Sequence, residues 1–191
     1  MTIANPIKHR WTIAEYYAMS DAGLFRDRRV QLIDGEVLDM PPQGSTHFAG
    51  IYLAAEAMKR AFGLGFFVRS QAPLDVAPDC EPEPDIAIVT QHPRDGAGKP
   101  HPPTALLALE FSDSSLDFDR NDKASLYASV GIADYWIVNL VDGQVEVHRQ
   151  PTADATERFG FRYADKKIFT AGGSITPLAA SAEIAVADLL P

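Results

Sequence analysis

The chain has a single cysteine, Cys80, in 191 residues. No intrachain disulfide can form, and a reducing, cytoplasmic setting is the expectation. Cys80 sits among Asp79, Glu81 and Glu83, which raise a thiol pKa and make it a poor nucleophile. Positive charge is also scarce: 17 Lys and Arg stand against 26 Asp and Glu, for a net charge of −9. That argues against a protein that coats nucleic acid with its whole surface. A local basic groove stays open, with Lys8, His9 and Arg10 as one candidate and Arg26, Arg28 and Arg29 as another. Solvated surface charge is the simpler expectation for both. No apolar run approaches the length of a membrane span. The N-terminus carries neither the apolar stretch nor the small-residue cleavage site of a signal peptide. Repeats, low-complexity tracts and linkers are missing too, so the chain reads as one domain with a real core.

What is there reads as alternating helices and strands. Thr12-Ile13-Ala14-Glu15 is a capping-box pattern and starts a short helix ending near Met19. Val30 to Ile33 and Glu36 to Met40 flank Asp34-Gly35, a strong hairpin signal. Between residues 45 and 62, Phe48, Ile51, Tyr52, Ala55, Met58 and Phe62 recur at helical spacing, which predicts an amphipathic helix with these residues inward. Residues 66–76 read as a strand bounded by Pro78. A loop with Pro93, Pro100, Pro102 and Pro103 follows the apolar run Ile86 to Val89. Residues 119–130 predict a helix capped by Gly131. Residues 134–139 and 144–149 predict a hairpin across Asp142-Gly143. Short strand-like pieces and an apolar terminus come after. The expectation is an α/β (α+β) domain with a central mixed sheet. Its core spans roughly residues 12–149, with a C-terminal extension over 150–191.

Two apolar runs, Ile86 to Val89 and Ala105 to Phe111, are short enough for buried strands. Each carries a carboxylate at one end: Asp85 opens the first and Glu110 nearly closes the second. An isolated carboxylate beside a core costs several kcal/mol unless it is paired or bound to a cation. Alternation puts Leu106, Ala108, Glu110 and Ser112 on one strand face. Lys123 lies one helical turn after Asp119 and one before Tyr127. Taken singly, Asp85 is a turn residue after proline, and Lys123 forms a surface pair with Asp119. Taken together with Glu110, they suggest a site for a hard cation. Other motifs fail. Gly96-Ala97-Gly98-Lys99 has the wrong spacing for a phosphate loop, and no two histidines have metal-pair spacing on one helix.

Several stretches resemble one family in the same order: Leu32-Ile33-Asp34-Gly35-Glu36, Pro84-Asp85, Glu110 to Ser115, Asp119 through Lys123 to Tyr127, and Gly131 to Val138. Together they resemble the Uma-type restriction endonuclease family, a branch of the PD-(D/E)XK nuclease superfamily. The resemblance implies the restriction-endonuclease-like fold, a central mixed β-sheet flanked by helices. It implies Mg²⁺-dependent (or Mn²⁺-dependent) endonuclease cleavage of phosphodiester bonds in DNA. Asp85 and Glu110 would be metal ligands, with the backbone carbonyl of Phe111 a further one. Lys123 would replace the lysine that the superfamily usually places where Ser112 stands. Glu36 would line the same site as a hairpin glutamate, and His47 follows the hairpin as in the family. The chain departs from the family pattern at Phe111, Asp113, Asn139 and Leu140, where Asp113 adds negative charge near the site. A homodimer is expected for duplex cleavage, with the Val145–Arg149 edge or the apolar C-terminus as meeting places. The alternatives are a nuclease-fold protein that binds or assembles without cutting, and hydrolysis of a smaller phosphodiester.

Overall fold

The structure is a computed structural model, and it describes residues 7–76 and 79–191. The expected boundary at Pro78 lies outside the described residues. The first helix, α1 (Ile13–Asp21), starts on the expected capping box: Thr12 accepts from the Glu15 amide and Glu15 accepts from that of Thr12. The hairpin β1 (Val30–Ile33) and β2 (Glu36–Asp39) turns at Asp34-Gly35, both with positive φ. It forms its own small sheet, anchored by Leu32 and Ile33, which are fully buried.

The predicted long helix is α2 (Ser45–Phe62). Its buried face is rotated from the expected one. Gly50, Ala54 and Ala57 join Ile51, Ala55, Met58 and Phe62 inside, while Phe48 and Tyr52 are exposed. Close packing selects small residues at the contact, and periodicity alone cannot distinguish alanine at an interface from alanine in solvent.

The central sheet has the order β3-β4-β5-β6-β7-β8. Its strands are β3 (Phe67–Ser70), β4 (Ile86–Val89), β5 (Leu107–Ser112), β6 (Asp134–Asn139), β7 (Gln144–Ala153) and β8 (Phe161–Thr170). Only β5 and β6 run parallel; the other neighbours are antiparallel. The sheet is therefore mixed, as expected. The strand expected over 66–76 stops at Ser70, because Gln71 takes a left-handed φ of 49°. Its backbone then bonds the Asp85 carbonyl, and Leu74 and Val76 turn to Pro82 and Cys80. The proline-rich loop contains one helical turn, α3 (Pro93–Gly96).

The crossover from β5 to β6 is a helix in three parts: α4 (Leu116–Phe118), a π-helical turn over Asp119–Lys123, and α5 (Ala124–Ser129). It covers one face of the sheet, packing Tyr127, Leu126 and Ala124 near Ala87, Ala108 and Tyr135. The opposite face receives α2 together with Ile175, Ile184, Val186 and Leu189. These last residues come from β9 (Ser174–Ile175), β10 (Ile184–Ala185), a short 3₁₀ turn over Val186–Asp188, and the residue after it. Neither expected dimer surface is free. The Val145–Arg149 stretch is an interior strand between β6 and β8, and the apolar C-terminus packs into the core. Among the described residues no helix is long and apolar enough to cross a membrane.

Candidate metal centre

Strand β4 begins one residue after Asp85, and β5 carries Glu110 near its end. Antiparallel pairing of Ile86 with Leu109 brings these ends together. The Asp85 amide faces Glu110 Oε2 at 3.4 Å, and the Phe111 amide donates to Asp85 Oδ2 at 2.9 Å. The two expected acids therefore meet, and both are buried. Phe111 turns its N–H toward Asp85, and a strand residue's C=O shares the side of its N–H. Its carbonyl thus lies on the Asp85 side of the strand.

Glu110 points to the α5 face, with Ala108 and Ser112, as strand alternation requires. Lys123 Nζ donates to Glu110 Oε1 at 2.8 Å, and the Tyr127 hydroxyl donates to the same oxygen at 2.7 Å. The π turn widens the helix where Asp119 and Lys123 sit, and both face inward. The expected surface pair of these residues is corrected to a buried one, 3.8 Å apart. Asp119 in turn accepts from Ser112 and Ser115, each at 2.6 Å. Ser112, expected as a neighbour, thus supports Asp119.

His47 comes from the first turn of α2 and reaches over the sheet end. Its Nε2 lies 3.1 Å from Asp85 Oδ1, and its ring packs against Phe111. The Gln71 amide donates weakly to the same oxygen at 3.5 Å. Glu36 does not join them. It pairs with Lys8 and with Arg158, the latter at 3.6 Å, at the turn end of the hairpin. The hairpin reaches the site with its other end, through Leu38 and Asp39. Tyr127, Gln71 and Ser115 were not singled out as site residues. Tyr127 falls at i+4 from Lys123, a spacing that could have flagged it; Gln71 and Ser115 give no such signal.

Asp85, Glu110, Asp119, Lys123 and His47 border an open cavity of about 490 Å³, lined also by Arg29, Glu83, Asp113 and the Met40–Gly44 segment. Burial pushes the Glu110 carboxyl up to about 8, against the pull of Lys123. Burial alone would lower the Lys123 amine, but Glu110, Asp119 and Asp85 outweigh it and hold it above its ordinary value. Burial also raises the Tyr127 phenol well above its normal range, so it stays a donor. The hydrogen bond to Asp85 raises His47.

Among the described residues no group of three or more His, Cys, Asp or Glu side chains is arranged to hold a metal ion by itself, so any cation here would rest on two carboxylates, a backbone carbonyl and water. Three buried carboxylates, Asp85, Glu110 and Asp119, lie around one buried ammonium, so the donors are oxygen apart from the His47 imidazole beside Asp85. Mg²⁺ and Mn²⁺ take oxygen donors and keep several waters, so two carboxylates suffice.

A family model described as "Uma2: Putative restriction endonuclease" matches residues 13–187. The chain belongs to the Uma2 family. No curated protein matches it. Among solved structures it is similar to "a putative nuclease belonging to DUF820" from Anabaena variabilis, with a TM-score of 0.69 and 14% identity. The likeness covers 96% of this chain and 97% of that one. At that identity it speaks to the fold, which is the nuclease fold that the Uma2 resemblance implied.

Proposed function

We propose that the chain is a Mg²⁺-dependent endonuclease, also served by Mn²⁺, that hydrolyses phosphodiester bonds in DNA. The observation that carries this reading is the meeting of Asp85 and Glu110 at one sheet end, with Lys123 bonded to Glu110. When bound, a divalent ion supplies charge neutralisation at the phosphate and an acidified water for attack. Asp85 and Glu110 would hold it, with the Phe111 carbonyl beside them. Lys123 stays cationic, and its fixed ammonium stabilises negative charge that develops on the phosphate. Tyr127 fixes the Glu110 side chain from below. His47 fixes Asp85 at the cavity wall. Cutting both strands of a duplex calls for two such sites, which a two-fold dimer would supply.

A second reading is favoured by charge. Asp39, Glu83 and Asp113 add to the acids lining the cavity, and the whole chain carries −9. A nuclease-fold protein that binds metal without cutting would have such a surface.

Calorimetry with Mn²⁺ and plasmid nicking separate the two. Removing Glu110 outright would strand a buried ammonium, so the sharper variants are Asp85→Asn and Glu110→Gln. Loss of a group that merely supports a metal ligand costs about 10- to 100-fold, so losing a ligand should cost more than about 100-fold in nicking. Mn²⁺ affinity should fall in parallel while the thermal midpoint holds. Unchanged nicking in either variant rejects the assignment. Metal binding without nicking in the unsubstituted protein selects the second reading.

A further inference from the structure

The candidate metal centre leaves the basic run of Arg26, Arg28 and Arg29 unused. Arg29 lines the cavity that contains Asp85 and Glu110. Arg28 and Arg29 together line a second hollow of about 420 Å³. The two hollows share Arg29 and the strap Asp39–Gln43, with Pro41 and Pro42 at its centre. They are therefore neighbours along one surface path, and each has the size of a small-ligand pocket.

The geometry that presents these arginines is built locally. Asp27 takes a left-handed φ of 65°, which turns the chain into the start of the hairpin. The Met40 amide then donates to the Arg29 carbonyl at 2.9 Å, tying the arginines to the strap. Both cations can be released. The other basic side chains of the main cavity, Lys123 and His47, are committed to Glu110 and Asp85. Arg28 pairs with Asp39 across side chains 50% and 63% exposed, and Arg29 pairs with Glu83 at 41% and 18%. Such exposed pairs contribute little, whereas a guanidinium on a phosphate forms a charge-assisted, often bidentate contact.

We propose that Arg28 and Arg29 bind the phosphates flanking the scissile one. The substrate is then a polynucleotide strand that runs from the acidic cavity across the Asp39–Gln43 strap into the second hollow. This deepens the nuclease reading and rests on it. It also answers the charge problem: Arg28 and Arg29 exchange their carboxylate partners for phosphates, so the acidic chain needs only one short basic path.

The test is binding of a fluorescein-labelled twelve-nucleotide single strand, followed by anisotropy in Ca²⁺ over a range of salt. The double variant Arg28→Gln/Arg29→Gln should bind at least about 10-fold more weakly. The slope of log affinity against log salt should flatten by about 1.4, or 0.7 for each lost single-strand phosphate contact. Lys59→Gln/Arg60→Gln removes the same charge at the far end of α2, about 20 Å along the helix from His47. It should keep affinity within about twofold. Equal binding by the arginine variant and the unsubstituted protein overturns the proposal, as does an equal loss in the Lys59/Arg60 control. Failure of the unsubstituted protein to bind the strand overturns it too. Mn²⁺-dependent hydrolysis of bis(p-nitrophenyl) phosphate then decides separately whether the metal-site reading falls with it.

Discussion

Glu110 was readable from the sequence because a carboxylate within an apolar strand must have partners. Its partners were only half readable: Lys123 by charge, and Tyr127 only by its i+4 spacing from Lys123, since a tyrosine on a helix face otherwise looks like ordinary core. Glu36 misled for the opposite reason. A hairpin has two ends, and the sequence does not say which one meets the site. His148 is a sharper case of the same blindness. Alternation along β7 identifies it as a strand residue, yet nothing in the sequence says that it is almost wholly buried between Tyr135 and Tyr163. Its two ring nitrogens are buried without a hydrogen-bond partner in the protein. Burial depresses its pKa to about 4; Lys166 across the ladder and Arg120 add to this, and Glu146 opposes it. The unfolded chain, with an ordinary value of 6.5, takes up the proton first. Stability from this residue is therefore complete above about pH 6.5 and is lost as pH falls toward 4. At 1.36 kcal/mol per unit the loss is on the order of 3 kcal/mol. His148→Phe keeps an aromatic ring in the stack and has no proton to gain. Urea midpoints measured at pH 7 and pH 4.5 should drop more for the unsubstituted protein than for this variant. An equal drop would mean that His148 is not the acid-sensitive group.

At the level of elements, local signals were legible wherever a few adjacent residues determine the geometry. The capping box at Thr12, the Asp34-Gly35 turn and the end of α2 at Gly63 are of this kind. The π turn was not, because inserting a residue into a helical turn depends on what pulls Asp119 and Lys123 inward, and that pull comes from β5. The early end of β3 at Gln71 was also hidden, since it serves a contact with Asp85. The packing of α2 on β5 shows how such tertiary demands are met. A Cβ on Gly50 would lie 2.5 Å from Cε1 of Phe111, so the helix can approach the site strand only through glycine. Gly50→Ala would gain up to about 1 kcal/mol in helix propensity. Overpacking of a filled core costs about 1–3 kcal/mol, and here the ring struck is the residue whose amide holds Asp85. The clash should win: a net loss of up to about 2 kcal/mol in chemical denaturation, together with weaker Mn²⁺ binding as His47 and Phe111 move apart. A stabilised variant with intact metal binding would show that α2 has room to shift.

For the molecule as a whole, the sequence placed the order of elements and the nuclease fold within reach, but it made the C-terminal stretch look peripheral. Residues after Arg149 have few long apolar runs, and their contributions are scattered. In the structure β7 continues to Ala153, and β8 is one ten-residue strand rather than separate pieces. Beyond it, Ile175, Ile184, Val186 and Leu189 are each at most 3% exposed and lie against the α2 face of the sheet. The Asp134 carboxylate, fully buried at the start of β6, accepts from Arg149, from Trp136 and from the Leu178 amide, binding this tail to the sheet. Burying one such aliphatic side chain contributes about 1.5–3 kcal/mol. Four of them approach the entire stability of a typical domain, about 5–15 kcal/mol. A chain ended after Thr170 should therefore lose its cooperative thermal transition and bind a hydrophobic dye at room temperature. It should also lose Mn²⁺ affinity, although no proposed ligand has been removed, because the pairing of β4 with β5 that joins Asp85 to Glu110 depends on a packed sheet. Retention of a sharp transition and of metal binding by the shortened chain would mean that the tail covers the core without holding it together.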